Sequence, residues 1–156
     1  MAKIKEVIYY FLIKYPYKDE LSKTRLTKMV YLADWESAKK YGRQITKINW
    51  YFDHYGPYVP DVYEVAAKDR KISIKKGFSA FGSPKETIEF DEDYADYSIG
   101  RVRLNTEQIE ILDKVIEDTM YLNWSDFISY VYSTKPIKSQ DRYNKLDLVK
   151  LAKETE

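Results

Sequence analysis

The 156-residue sequence contains no cysteine and a single histidine, His54. Without thiols the chain can form neither disulfides nor thiolate metal sites. A zinc site that needs several His or Cys ligands is excluded for the same reason. No glycine-rich loop precedes a helix, and the pair Gly77 and Gly82 lacks the following Lys and Ser/Thr of a phosphate-binding loop. Disulfide scaffolds, zinc proteins and P-loop enzymes are therefore set aside.

Long apolar runs are also missing. No stretch approaches the ~18 residues that a membrane-spanning helix requires. Lys5, Glu6 and Lys14 interrupt the N-terminal region, which therefore lacks the uncharged core of a signal peptide. We expect a cytoplasmic protein with no membrane partner.

An excess of one charge is absent as well, because 26 Lys and Arg oppose 25 Asp and Glu for a net charge of +1. Proteins that bind nucleic acid usually concentrate positive charge on one face, so this balance disfavours a nucleic-acid partner. With 44% hydrophobic and 33% charged residues, the chain has the composition of a globular protein. Its length predicts one domain over residues 1–156.

Tyrosine is the residue present in excess, with 16 copies against three Trp and six Phe. A tyrosine ring has an apolar body and a polar tip, which suits half-buried layers and protein interfaces. The excess bears on function without identifying one.

The first third of the chain has helical periodicity. The apolar stripe from Ile4 to Tyr15 predicts an amphipathic helix that ends before Pro16. Ser22 is a candidate N-cap for a second helix, which runs to Tyr41 and stops at Gly42. That helix is apolar over a wide arc, so we expect it to be central to the core.

Extended structure is predicted next. Residues 45–52 are β-branched and aromatic, which favours a strand, and Tyr55-Gly56-Pro57 predicts a tight turn. Pro60 suits the first position of a third helix. The alternating runs 72–75 and 87–90 predict a small antiparallel hairpin.

The last third returns to helices. A capping-box pattern at Asn105 predicts a helix start, and apolar spacing predicts further helices over 124–132 and 146–153, with a loop over 137–144 between them. The predicted fold class is α+β: a compact, helix-dominated single domain with a central apolar helix and a small antiparallel β-hairpin.

The order of elements between Leu26 and Glu64 carries a family resemblance. A helix of the form K-φ-φ-Y-φ-A-D, with φ apolar, spans Lys28 to Asp34 and includes Tyr31. A break at Gly42, an aromatic segment from Trp50 to Phe52, the Gly56-Pro57 turn and the Val62-Tyr63 helix follow. This order resembles the Panacea (SocA-like) domain found in antitoxins of bacterial and phage toxin–antitoxin pairs. This chain begins almost directly with that domain, and its region after Gly77 matches the family only loosely.

The resemblance implies an antitoxin without catalytic activity or cofactor. Such a protein neutralises a partner toxin, usually encoded by an adjacent gene, through direct contact. An adaptor that delivers a partner to a protease, or a regulatory protein on the same fold, is the alternative within the family. The toxin's identity and the oligomeric state, a homo-oligomer included, stay open.

Aromatic residues around the turn and one acidic segment are the candidate partner contacts. Strand alternation places Trp50 and Phe52 on one face and Tyr51 on the other. The candidate contacts are Tyr51, Phe52, His54, Tyr55, Tyr58, Tyr63, Asp91, Glu92, Asp93 and Asp96. The residues predicted to hold the motif together are Tyr31, Asp34, Trp50, Gly56 and Pro57.

Asp34 lies on a helix predicted to be buried, so its carboxylate requires partners. Lys39, Arg43, a tyrosine hydroxyl and a backbone N–H are the candidates. We expect Asp34 to anchor the loop that follows the helix.

Two other function classes compete with protein binding. Metal-dependent hydrolysis would need converging carboxylates, but the acidic segment lacks EF-hand spacing. A catalytic His54 is disfavoured, because no Ser lies in a G-x-S-x-G setting and the adjacent Asp53 points to the opposite side of an extended segment. A DNA-binding function would use the second helix as the recognition helix. The exposed cations would then be Lys23, Arg25, Lys28, Lys39 and Lys40. The broad apolar surface of that helix indicates burial instead.

Overall fold

Helices make up about half of the computed structural model, which describes residues 1–154. The described part contains seven α-helices and two small antiparallel sheets, as expected for a compact α+β fold. The helices are α1 (Ile4–Lys14), α2 (Lys23–Tyr41), α3 (Asp61–Lys68), α4 (Thr106–Thr119), α5 (Trp124–Tyr132), α6 (Lys135–Ser139) and α7 (Leu148–Lys153). The strands are β1 (Trp50–Asp53), β2 (Gly56–Pro57), β3 (Ile72–Phe78), β4 (Pro84–Phe90) and β5 (Lys145–Leu146).

The ends of α2 follow from local chemistry. The Ser22 side chain accepts a hydrogen bond from the backbone N–H of Arg25 at 3.2 Å and caps the start. Gly42, with φ of 72°, ends the helix in the left-handed conformation that glycine adopts without steric cost. Both predicted boundaries are confirmed.

The core is organised around α2, whose residues from Arg25 to Trp35 are all buried. This helix packs against α3, α4 and α7. Each fully buried large apolar side chain, such as Leu26 or Met29, contributes roughly 1.5–3 kcal/mol through removal from water. The prediction that the second helix is central is confirmed.

The two sheets have different roles. Strand β1 pairs antiparallel with β2 on one side and with β5 on the other, through Phe52–Pro57 and Trp50–Leu146. Strands β3 and β4 form the predicted hairpin, which is longer than the alternating runs indicated. Ile88 of that hairpin donates its backbone N–H to the Leu21 carbonyl and ties the hairpin to the start of α2.

Three local predictions are wrong. Residues 45–49 are irregular rather than extended, because their backbone turns around the Asp34 carboxylate. The expected loop over 137–144 contains the end of α6, in which Pro136 occupies an early position where its missing N–H costs nothing. Pro60 is the residue before α3 rather than its first residue.

Among the described residues, no helix combines the length and the apolar character needed to cross a membrane.

Candidate partner-binding site

One face of α2 holds the turn segment in place. Lys28, Tyr31 and Asp34 follow one another at intervals of three residues, which puts them on neighbouring positions of the helix surface. Tyr31 and Asp34 both contact Trp50 of β1, and the charge of Lys28 interacts with Asp53 at the end of the same strand. The motif residues therefore form the support beneath β1.

Asp34 is the main anchor of this support and is fully buried. One carboxylate oxygen accepts the backbone N–H groups of Ile45 and Thr46, each at 2.9 Å. The other accepts the Thr46 hydroxyl at 2.6 Å and the Trp50 indole N–H at 2.9 Å. The expectation that Asp34 anchors the following loop is confirmed.

The electrostatics of Asp34 combine two opposing effects. Burial raises the pKa of Asp34 and the hydrogen bonds from Thr46, Trp50 and Ile45 lower it, so that the pKa lies at about 6, above its ordinary value of 3.8. The carboxylate is consequently ionised at neutral pH. Of its candidate partners, the backbone N–H is correct; Lys39 pairs with Glu36 and Arg43 with Glu107 instead.

Tyr31 also stabilises β1, through contacts with Trp50 and Thr134. Its hydroxyl and the Thr134 hydroxyl are 2.8 Å apart, and its ring meets Trp50 edge-on at a centroid distance of 5.5 Å. Burial raises the pKa of Tyr31, so the hydroxyl stays neutral. The segment after α5 is thereby linked to α2 and β1.

The turn between β1 and β2 requires glycine at position 56. Gly56 has φ of 101°, a conformation that side-chain-bearing residues rarely adopt. A Cβ atom there would also lie 3.2 Å from the Tyr132 ring. Gly56 and Pro57 are both buried, which agrees with the structural role assigned to them.

We expect Gly56→Ala to lower the free energy of unfolding by about 1–3 kcal/mol, because it adds backbone strain and a contact with Tyr132. Urea denaturation followed by tryptophan fluorescence measures the change. Gly77→Ala is the matched control, since no atom lies within 4 Å of a Cβ there and its φ is not positive. An equal loss of unfolding free energy in Gly56→Ala and Gly77→Ala would contradict the requirement for glycine at position 56.

The outer side of the turn carries an exposed cluster, here named the turn surface, made of His54, Tyr55, Arg142 and Tyr143. Tyr55 is 77% exposed and Tyr143 is 58% exposed. The Tyr143 hydroxyl lies 3.1 Å from His54 Nδ1, and Arg142 Nε donates to the His54 carbonyl at 3.1 Å. These bonds join the turn to the segment before β5 and fix the presentation of two tyrosines.

Not all predicted contact residues are on this surface. Phe52 is buried, with Tyr132 edge-on to its ring and the Arg142 guanidinium over it, so its assignment as an exposed contact is wrong. The strand alternation itself is confirmed, because Trp50 and Phe52 are buried and Tyr51 is half-buried.

Tyr58 and Tyr63 are also half-buried. The Tyr63 hydroxyl donates to Glu86 at 2.7 Å, and the Lys23 ammonium lies over the Tyr63 ring. Tyr63 therefore connects α3 to the hairpin.

The acidic segment, residues 91–96, directly follows β4. Asp91 accepts the Ser73 hydroxyl at 3.0 Å and the backbone N–H of Asp93. Glu92, Asp93 and Asp96 are exposed. Within residues 1–154, no hydrogen bond, ion pair or ring contact joins this segment to the turn surface, so the two sets of candidates form separate surfaces.

Two observations concern the competing function classes, metal-dependent hydrolysis and DNA binding. Across the described chain, no three His, Cys, Asp or Glu side chains gather where they could hold a metal ion. Two cations proposed for a DNA-reading face of α2, Arg25 and Lys28, are buried. Arg25 donates to the carbonyls of Thr119 and Leu122, which fixes the end of α4.

Sequence reasoning missed half of the turn surface. Arg142 and Tyr143 lie in a segment predicted as a loop, about 90 residues from the turn they contact. It also missed a second group of exposed aromatic residues, Tyr17, Tyr121 and Trp124. The high tyrosine content was the one available signal, and it gives no positions.

The fold and the turn surface define a helix-dominated α+β domain that presents aromatic side chains on a braced turn. The chain belongs to the family described as antitoxin SocA-like, Panacea domain, which matches residues 26–136. Arg142 and Tyr143 lie beyond the matched range. No curated protein and no solved structure matches the chain.

Proposed function

We propose that this chain is an antitoxin-like protein that neutralises a partner toxin by direct contact and carries out no catalysis itself. The toxin is part of a bacterial or phage toxin–antitoxin pair, is encoded by an adjacent gene, and is bound in the cytoplasm. Membership of the SocA-like Panacea antitoxin family is the observation that carries this proposal.

The turn surface is the part of the molecule that we assign to the toxin. Tyr55 and Tyr143 offer large exposed rings, and residues of this type dominate the binding energy of protein interfaces. Their backbone is already held by the bonds from Arg142 to His54 and from Tyr143 to Phe52. A braced surface loses less conformational entropy on binding, which favours affinity.

Two other exposed features are assigned as secondary contacts. The end of the β3–β4 hairpin exposes Phe78 by 76% and Phe81 by 96%. The acidic segment offers Glu92, Asp93 and Asp96, which could cover a basic active site if the toxin acts on RNA or nucleotides. Both lie within residues 26–136, the range that the family model matches.

The first test is co-expression of the chain with each protein encoded by a neighbouring gene, with growth and co-purification as readouts. We expect one neighbour to be toxic alone, harmless in the presence of this chain, and recovered with it in a stoichiometric complex. If no neighbour is toxic and nothing co-purifies, the antitoxin proposal is wrong.

The second test concerns the surface. Tyr55→Ala combined with Tyr143→Ala is expected to weaken the complex by about 30-fold or more, which corresponds to roughly 2 kcal/mol, because two aromatic anchors are lost. Tyr121→Ala is the matched control, since Tyr121 is 76% exposed but lies outside the turn surface. A complex that tolerates the double change but not Tyr121→Ala would place the interface elsewhere.

A further inference from the structure

A groove of about 660 Å³ opens between the start of α1, Lys71 before β3, and the segment 97–103. Its volume lies in the range of sites that hold small molecules, about 300–1,000 Å³. Five cationic side chains line it, here named the basic groove: Lys3, Lys5, Lys71, Arg101 and Arg103. For a chain with a net charge of +1, this is a strong local concentration of positive charge.

The charges of the basic groove are not neutralised by the protein. Within residues 1–154, none of these five side chains forms an ion pair or a side-chain hydrogen bond; the ion pairs of the described chain lie elsewhere. Glu6 is the one acidic residue that lines the groove, and its carboxylate accepts the backbone N–H of Arg103 at 2.9 Å. Like charges gathered without partners raise the affinity of a site for anions.

Two acidic residues close to Lys71 in the fold, Asp69 and Asp91, accept hydrogen bonds from groups other than the cationic side chains of the groove. Asp69 accepts the Tyr9 hydroxyl and the backbone N–H of Lys71. Asp91 accepts the Ser73 hydroxyl. Within residues 1–154, neither carboxylate forms an ion pair with a cation of the groove.

The wall of the groove is aromatic. Tyr97 lies against Tyr9 at a centroid distance of 5.1 Å and stacks on Phe90 at 5.5 Å. The Arg101 guanidinium lies over the Tyr97 ring at 5.2 Å. A guanidinium plane held on an aromatic ring is a surface on which a nucleobase can stack.

We propose that the basic groove binds a nucleoside di- or triphosphate, with the phosphates on its Lys and Arg side chains and the base against the Arg101–Tyr97 wall. Arginine and lysine form charge-assisted hydrogen bonds to phosphate oxygens. Residues 1–25 and the matched family range both contribute to the groove, so this site is not confined to the family match. The binding does not depend on the proposed neutralisation of a toxin.

Calorimetric titration of the whole chain with ATP and with GTP at low ionic strength tests the proposal. We expect micromolar binding that weakens as salt rises, because the contacts are largely electrostatic. Pyrophosphate is expected to bind about tenfold more weakly, since it lacks the base. In NMR titrations, the backbone signals of the groove residues should shift.

Two double variants distinguish specific nucleotide binding in the basic groove from nonspecific electrostatic attraction. Arg101→Ala with Arg103→Ala removes two exposed cations from the groove. This double variant should weaken nucleotide binding by about tenfold or more. Lys47→Ala with Lys138→Ala removes the same charge from exposed positions elsewhere and should leave binding unchanged.

Several outcomes would overturn the proposal. They are the absence of nucleotide binding, equal losses in the two double variants, pyrophosphate binding as tight as that of ATP, and binding of a polyglutamate peptide in preference to nucleotides. Toxin neutralisation is scored separately by co-expression, so either proposal can fail while the other stands.

Discussion

Replacing Asp34 with alanine is expected to lower the free energy of unfolding by about 3–5 kcal/mol, the range for removing one partner from a buried charged network. Four donors from Ile45, Thr46 and Trp50 lose their acceptor at once. Each buried donor left without a partner costs about 1–3 kcal/mol. The loop after α2 and strand β1 would lose their common anchor.

Asp34→Asn should not restore this stability. Asparagine has the same shape, but its amide places a donor against groups that are themselves donors. Guanidinium denaturation of both variants measures the effect, with Glu36→Ala as the control on the same helix. Glu36 pairs with Lys39 and Lys114 near the surface, so its loss should cost about 1 kcal/mol or less. A cost for Asp34→Ala no greater than that of Glu36→Ala would refute the anchoring role.

The second large effect concerns Lys28, a buried lysine on the motif face of α2. Burial lowers the pKa of Lys28 from 10.5 to about 8, and the charge of Asp53 opposes this only in part. Its protonated form is therefore unfavourable in the folded protein. We expect Lys28→Met, which keeps a long apolar side chain, to raise the free energy of unfolding at pH 7 by about 3 kcal/mol.

The pH dependence follows from the same shift. Between pH 8 and 10.5 the unfolded chain binds more protons at this position than the folded chain does, so the Lys28 contribution to stability rises with pH. Below pH 8 the penalty is present in full. The gap between Lys28→Met and the wild type should therefore be largest at neutral pH and should narrow above pH 8.

Comparing the two proteins at each pH is essential, because buried tyrosines also titrate in alkali. Burial raises the pKa of Tyr15 and Tyr31, and this lowers stability at high pH in both proteins alike. Lys39→Met, an exposed lysine on the same helix, is the control and should leave the pH profile unchanged. A constant gap between Lys28→Met and the wild type across pH 7–10 would contradict the burial of a charged amine.

Residues adjacent in sequence were enough to predict most elements. Ser22 and Gly42 mark the ends of α2 because capping is a local interaction. The capping box at Asn105 is present, with Gln108 as its partner. Alternation in the runs 72–75 and 87–90 predicted the hairpin, since a two-stranded ribbon needs one buried face. The family order between Leu26 and Glu64 is likewise readable, because its residues are close along the chain.

Only the tertiary structure decided what lies on the surface. Strand alternation puts Phe52 on the same face as Trp50, but it does not say which face is covered; in the fold Phe52 is buried under Arg142 and Tyr55 is exposed. The turn surface joins residues about 90 positions apart, and the basic groove gathers cations spread from Lys3 to Arg103. Local pattern cannot predict such groupings, because they depend on how the helices pack and on which distant segment covers each face.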